Sequence, residues 1–145
     1  MNSSLVLLDV NIPMYAAGRE HIYHEPCIWI MREIAAGNLP AAIDVEIIQE
    51  ILYRYTYLGQ VINGIKISRD VLDIIPVVFA VFPNDIEVTM RLLEEYGTGG
   101  VNPRDLIHAA VMLNNGLTQV ISTDRHFDRI QGIQRLDPLD LFKTR

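Results

Sequence analysis

Short apolar segments alternate with amphipathic ones along the chain, and this alternation constrains the fold more than any other feature. The first predicted strand, Ser4–Asp9, contains a continuous apolar run, Leu5 to Leu8, that ends directly on an acid. Uninterrupted runs of this kind are typical of strands covered on both faces. Further strands are predicted at Pro40–Val45, Val77–Phe82, 119–123 and Ile133–Leu136. Strands that alternate with helices indicate an α/β fold with a parallel sheet of four to five strands, covered on both sides.

Helical periodicity fills the intervals between these strands. Helices are predicted at Ile12–Ala17, Glu25–Ala36, 46–59, Arg69–Ile75, Asp85–Tyr96 and 104–115. The segment 61–83 is the least defined, and Ser68 is taken there as the cap of the helix Arg69–Ile75. Since the chain contains no repeat and no linker rich in proline or glycine, residues 1–145 are predicted to form a single domain.

Composition excludes several classes of protein. Half of the residues are hydrophobic, which excludes a disordered chain and leaves apolar surface for a partner. The net charge of −6 argues against a general nucleic-acid coat. A single cysteine, Cys27, forms neither an internal disulfide nor a thiolate zinc site, so the reduced cytoplasm is expected. The N-terminal run lacks a basic flank, and the longest apolar stretch, 71–82, is too short to span a membrane.

Acids follow two of the predicted strands. Asp9 ends the first strand and Asp124 ends the fourth. With a strand order of 3-2-1-4-5 these strands are neighbours, and their carboxyl ends flank the crevice where ligands bind in such sheets. Two carboxylates held together there require a proton or a cation, and oxygen ligands favour Mg²⁺ or Mn²⁺ over zinc.

Helical geometry ranks the further acids. The buried stripe of the helix 46–59 is predicted to consist of Ile47, Ile48, Ile51, Leu52 and Tyr55. Glu50 lies on the flank of this stripe and Glu46 points away from it, so Glu50 is the better ligand. Asp105 is in the first turn of the helix 104–115, but its position does not follow from the pattern, because a β–α–β path would not normally bring that turn to the crevice. Asp44 is interpreted as a loop acid.

Four fragments in order, LLDVN, IIQEIL, PRDLIHAA and ISTDRHFDRI, resemble PIN-domain proteins, most closely the short ribonucleases of VapC-type toxin–antitoxin pairs. The resemblance covers nearly the whole chain. It implies a three-layer α/β/α fold, Mg²⁺ or Mn²⁺ dependence and hydrolysis of RNA. It also implies a site built from these residues: the metal ligands Asp9, Glu50, Asp105 and Asp124, with Asn11 and Ser122 in support.

Several residues near the proposed ligands have secondary predicted roles. Three arginines are candidates for holding RNA phosphates, because each is adjacent in sequence to a proposed ligand or one helical turn from it: Arg54, Arg104 and Arg125. Asp128 is a weaker candidate for holding a second metal through water. A homodimer and a small antitoxin partner are expected to use the apolar surface around 61–82.

Alternative interpretations remain for each acid and for the whole chain. Asp9, Asp105 and Asp124 each occupy a position where an acid commonly caps a helix or turn. Asp9 as the covalent nucleophile of a phosphatase is a second enzymatic hypothesis, weakened by Asn11 and by the scarcity of lysine. A housekeeping RNA-processing nuclease and a non-catalytic interaction module of the same fold also remain.

Overall fold

The computed structural model describes residues 5–145, and within them five short parallel strands form one sheet. The strands are β1 Val6–Leu8, β2 Ala41–Asp44, β3 Val77–Phe79, β4 Gln119–Ile121 and β5 Gln134–Leu136. Their order is β3-β2-β1-β4-β5, which confirms the predicted topology. Leu7 pairs with Ala42 on one side and with Val120 on the other, so β1 is central. Ser4, the predicted first residue of β1, lies outside the described residues.

Seven α-helices accompany the strands in the described part of the chain. They are α1 Asn11–Ala17, α2 His24–Ala35, α3 Val45–Tyr57, α4 Val61–Ile74, α5 Pro83–Tyr96, α6 Pro103–Asn114 and α7 Pro138–Lys143. Short 3-10 turns lie at Gly97–Gly99 and Arg125–Arg129. No helix within residues 5–145 is long and apolar enough to cross a membrane.

The two faces of the sheet carry separate hydrophobic cores. Successive strand residues point to opposite faces, so Val6 and Leu8 pack with helices α1 to α4, while Leu7 packs with α5 and α6. This arrangement gives the three layers α/β/α. It also explains why β1 is a continuous apolar run, since each of its residues is buried in one core or the other.

The prediction for the segment 61–83 was wrong in one respect. A single helix, α4, begins at Val61, and Ser68 is buried inside it rather than capping its start. Gly64 lowers helix propensity, but a Cβ at this position would come within 2.7 Å of the Tyr55 Cβ. The glycine therefore permits a close approach of α3 and α4, whose packing outweighs its propensity. Leu52 was also predicted to be buried and is instead 37% exposed.

Candidate metal centre

Asp9 lies at the carboxyl end of β1, and hydrogen bonds fix both of its carboxylate oxygens. Oδ1 accepts from the backbone N–H of Val10 at 2.8 Å. Oδ2 accepts from the Ser122 hydroxyl at 2.6 Å and from the Asn11 amide at 3.1 Å. Burial raises the pKa of Asp9, while nearby His108 and the Ser122 hydrogen bond act in the opposite direction. The carboxylate is thus held in one orientation before any ligand arrives.

Asp124 follows β4 and reaches the same edge of the sheet. Its backbone N–H donates to the Ser122 hydroxyl at 2.9 Å, so Ser122 joins the two strand-end acids. Asn11 also bridges the strands, since its side-chain oxygen accepts from the Thr123 N–H at 3.3 Å. The Asp124 Oδ1 accepts from the His126 N–H at 2.9 Å and caps the turn Arg125–Arg129. Asp124 therefore caps this turn, as the alternative interpretation predicted, and it also lies at the same edge as Asp9.

Asp105 also lies at this edge, because α5 and α6 form an antiparallel pair. Asn114, which ends α6, donates to Asp85 near the start of α5 at 2.7 Å. Helix α6 leads into β4, so it runs against the strands and begins at their carboxyl ends. The expectation that the chain path would not normally bring Asp105 to the crevice was therefore wrong. Asn102 caps α6 by accepting from the Asp105 N–H at 3.1 Å.

The carboxylate of Asp105 is less constrained than that of Asp9. Its Oδ2 is buried and has no hydrogen-bond partner among the described residues. Burial, then Asp124 and Asp9, raise the pKa of Asp105 to about 7. The Asp124 and Asp105 carboxylates lie 3.1 and 3.8 Å from the Nδ1 of His126, and one ligand atom from each of the three residues falls within 4.8 Å of the others. His126, which the sequence analysis left out of the site, belongs to this cluster.

Glu50 projects from α3 with 12% of its side chain exposed. Burial alone would raise the pKa of Glu50, but His108 outweighs it, and Arg104 and Arg54 add to the effect, so the pKa is lowered. Glu50 therefore carries a negative charge at neutral pH. The competing candidate, Glu46, is not among the residues that line the cavity described below.

Asp44 was interpreted as a loop acid, and this was wrong. It ends β2, is fully buried and caps α3 by accepting from the Ile47 N–H at 3.2 Å. Its other oxygen accepts from the Nδ1 of His108 at 2.7 Å. Burial would lower the pKa of His108, but Asp44 and Glu50 raise it to about 10. His108 therefore lies between Asp44 and Glu50, next to the acidic cluster.

One open cavity of about 550 Å³ brings the predicted ligands together. Its lining includes Asp9, Glu50, Asp105 and Asp124, together with Asn11, Arg54 and Arg104. Arg125 is exposed and is not part of this lining. Asp128 is also outside it, because both of its oxygens accept from Arg135, at 3.0 and 3.2 Å. The structure therefore does not place Asp128 where a second metal was predicted.

The donor chemistry of the cavity fits a hard divalent cation. Its four carboxylates supply the oxygen ligands that Mg²⁺ and Mn²⁺ prefer. The unpartnered Oδ2 of Asp105 and the raised pKa of that residue show that the protein alone does not balance this negative charge. A PIN domain family model matches residues 6–133, which contain all four acids.

The chain belongs to the PIN-domain family. This PIN domain is 31% identical over 133 residues to ribonuclease VapC13 of Mycobacterium tuberculosis, a match that covers 91% of this chain and 99% of that protein. It resembles a chain of the VapBC2 structure from Rickettsia felis, bound to a DNA fragment from its promoter, with a TM-score of 0.72 and 16% identity over 92% of this chain and 98% of that one.

A second solved structure shares the fold of this PIN domain. It is VapC20 of M. tuberculosis, described as a toxin that cleaves the sarcin-ricin loop. The TM-score is 0.68 and the identity 12%, over 83% of this chain and 90% of that one. The five-stranded parallel sheet and the two helical layers are therefore those of a PIN-like fold.

Proposed function

We propose that this PIN domain is a metal-dependent endoribonuclease and the toxin of a toxin–antitoxin pair. One observation carries the proposal: carboxylates from β1, α3, α6 and the end of β4 line a single cavity at the carboxyl edge of the sheet. Capping alone requires no such convergence. The extent of the match to VapC13 supports the choice of RNA as substrate.

The proposed ligands are Asp9, Glu50, Asp105 and Asp124, and the proposed metal is Mg²⁺ or Mn²⁺. When bound, such an ion supplies an activated water and stabilises the charge that develops on the phosphate. Asn11 and Ser122 hold the Asp9 carboxylate through the hydrogen bonds described above. The side chains of Arg54 and Arg104 line the same cavity and would hold RNA phosphates, which the net charge of the chain otherwise repels.

The decisive experiment compares purified wild-type protein with Asp9→Asn on structured RNA in Mg²⁺ or Mn²⁺. We expect divalent-dependent cleavage by the wild type and none by the variant. Asp73→Asn is the matched control, because it removes the same charge from an exposed residue of α4 outside the cavity. Circular dichroism and thermal unfolding establish that the variants are folded. Undiminished cleavage by folded Asp9→Asn would remove the proposed site.

The covalent phosphatase hypothesis is disfavoured by the surroundings of Asp9. Both of its oxygens accept hydrogen bonds from neighbouring groups, and Asn11 supplies an amide where a second acid would be needed. The neighbouring genes distinguish a toxin from a housekeeping nuclease. A short reading frame directly upstream that encodes a DNA-binding antitoxin is expected for a toxin.

We propose that a homodimer and an antitoxin use the apolar surface around α4. Val61, Ile62 and Ile65 are 47%, 79% and 38% exposed, as expected for a surface that a partner covers. Sedimentation at micromolar concentration tests the homodimer, and Ile62→Glu should shift it toward monomer. Wild-type protein that sediments only as a monomer would contradict this part of the proposal.

A further inference from the structure

The buried residues Asp44 and His108 form a chain of contacts that ends on Glu50. Asp44 is fully buried, His108 is 1% exposed, and neither is among the four proposed metal ligands. We propose that Asp44 and His108 are positioning residues, which hold the Glu50 carboxylate in the orientation needed to bind the metal. This inference rests on the proposed function, because it assigns Glu50 to the metal site.

Asp44 determines which way the His108 ring faces. An ionised carboxylate only accepts hydrogen bonds, so the 2.7 Å contact requires a proton on Nδ1 of His108. The second Asp44 oxygen is held by the Ile47 N–H, which fixes the carboxylate to the start of α3. The ring therefore has one orientation, with Nε2 on the side opposite Asp44.

The Nε2 of His108 lies 3.7 Å from the Glu50 Oε1. Nε2 is therefore directed at the Glu50 carboxylate across a gap slightly longer than a hydrogen bond. The contact with Asp44 joins α6 to the end of β2, and the second contact directs the same ring at a proposed metal ligand.

The charges of the buried pair also favour a positioning role. Burying an unpaired charge is costly, but Asp44 and His108 are buried together and their charges cancel. The pair therefore directs an N–H at Glu50 without leaving an unpaired charge buried. Groups that orient a metal ligand in this way typically contribute about 10-fold to 100-fold in metal affinity or activity.

Two substitutions of His108 separate positioning from packing. In His108→Asn the amide takes the place of Nδ1 and keeps the bond to Asp44, but it does not reach Glu50. In His108→Gln the amide reaches the place of Nε2 and keeps a donor toward Glu50. Mn²⁺ binding, measured by calorimetry in the absence of RNA, should weaken about 10-fold or more in His108→Asn and stay within about threefold of wild type in His108→Gln.

A double-mutant cycle with Glu50→Gln tests whether His108 acts through Glu50. In the Glu50→Gln background, His108→Asn should change Mn²⁺ affinity less than about twofold, because the group that it positions is already lost. An equal loss with and without Glu50, or wild-type affinity in His108→Asn, would overturn the inference. If His108→Asn does not fold, Asp44→Ala replaces it in the cycle, because removal of the carboxylate that holds the His108 ring should weaken Mn²⁺ binding in the same way.

Asp44→Asn keeps an acceptor for the Ile47 N–H and an amide facing Nδ1, so Nε2 still carries a proton. It should retain Mn²⁺ affinity within about threefold, and a larger loss in the folded variant would overturn the inference. Wild-type protein that neither binds Mn²⁺ nor cuts RNA would instead refute the proposed function. The two failures are therefore distinguishable.

Discussion

Asp105→Asn is expected to stabilise the metal-free protein while removing a proposed metal ligand. The pKa of Asp105 is raised from 3.8 to about 7, first by burial and then by Asp124 and Asp9. A carboxyl group whose pKa is raised by folding stabilises the folded state below its unfolded pKa, and this contribution is lost as the pH rises through about 7. Asparagine cannot ionise and so avoids the loss.

The magnitude follows from the size of this pKa change. At about 1.4 kcal/mol per pKa unit, the stabilisation by Asp105→Asn has an upper limit of about 4 kcal/mol at pH 8. Asp105 faces an open cavity, and solvent screening reduces this limit to about 2 kcal/mol. The substitution also removes a favourable interaction between the acid and the dipole of α6, which reduces the gain by about 0.5 kcal/mol. The net gain of 1 to 2 kcal/mol corresponds to a rise in Tm of about 3 to 6 °C.

Asp85→Asn is the matched control for this measurement. Asp85 occupies the same third position of α5 that Asp105 occupies in α6, and both helices begin with proline. Unlike Asp105, it accepts from the Phe82 N–H and the Asn114 amide, each at 2.7 Å. Loss of its charge should therefore destabilise the protein by about 1 to 3 kcal/mol.

The assay is urea unfolding in EDTA at pH 5 and pH 8. The advantage of Asp105→Asn should be larger at pH 8 than at pH 5, and it should disappear only below the unfolded pKa of 3.8, where the carboxyl group is protonated in both states. Added Mn²⁺ should stabilise the wild type more than Asp105→Asn, because only the wild type retains the ligand. A variant that is less stable than wild type at pH 8 in EDTA would refute the reasoning, as would a stability gain that does not depend on pH.

Three further predictions follow from the same structure. Mn²⁺ affinity should rise about tenfold per pH unit up to about pH 7 and then level off, because Asp105 must lose its proton to bind; calorimetry that shows a flat affinity from pH 5.5 to 8 would contradict this. Gly64→Val should lower the free energy of unfolding by about 2 kcal/mol, because its Cβ would collide with Tyr55; an unchanged urea midpoint would show that α3 and α4 separate freely. Arg104→Gln should raise KM for RNA more than it lowers kcat and should reduce the salt dependence of binding by about one phosphate contact, whereas an unchanged salt slope would place RNA elsewhere.

The sheet and the strand-end acids were predictable because both follow from local pattern. Apolar runs such as Leu5 to Leu8 are buried on both faces, and the carboxyl ends of neighbouring parallel strands meet at one edge. The meeting of Asp9 and Asp124 in one cavity is a consequence of that geometry. The catalytic roles of these acids stay predictions until the substitutions are measured.

The contacts that sequence reasoning missed join residues far apart in the chain or override local propensity. Asp44 and His108 are 64 positions apart, and nothing local marks a histidine between Ile107 and Ala109 as the partner of an acid that ends β2. Helix α4 was misjudged because Gly64 is unfavourable in an isolated helix, while its contact with Tyr55 exists only in the folded chain. Asp105 was misplaced because a helix that leads into a parallel strand, as α6 leads into β4, begins at the carboxyl edge of the sheet.

A contact with a backbone N–H and a role in the metal site are compatible: Asp124 caps the turn Arg125–Arg129, while Asp9 accepts from the adjacent Val10 N–H without capping α1. Asp9, Asp44 and Asp124 each use one oxygen to accept a backbone N–H, and at Asp9 and Asp44 the second oxygen contacts another side chain of the site or its support. A backbone amide fixes a carboxylate without adding a formal charge, so a cap orients the group while leaving its negative charge to attract a cation. Asp105 has no such anchor on Oδ2, and burial together with Asp124 and Asp9 raises its pKa to about 7. Metal binding is therefore expected to order and deprotonate Asp105.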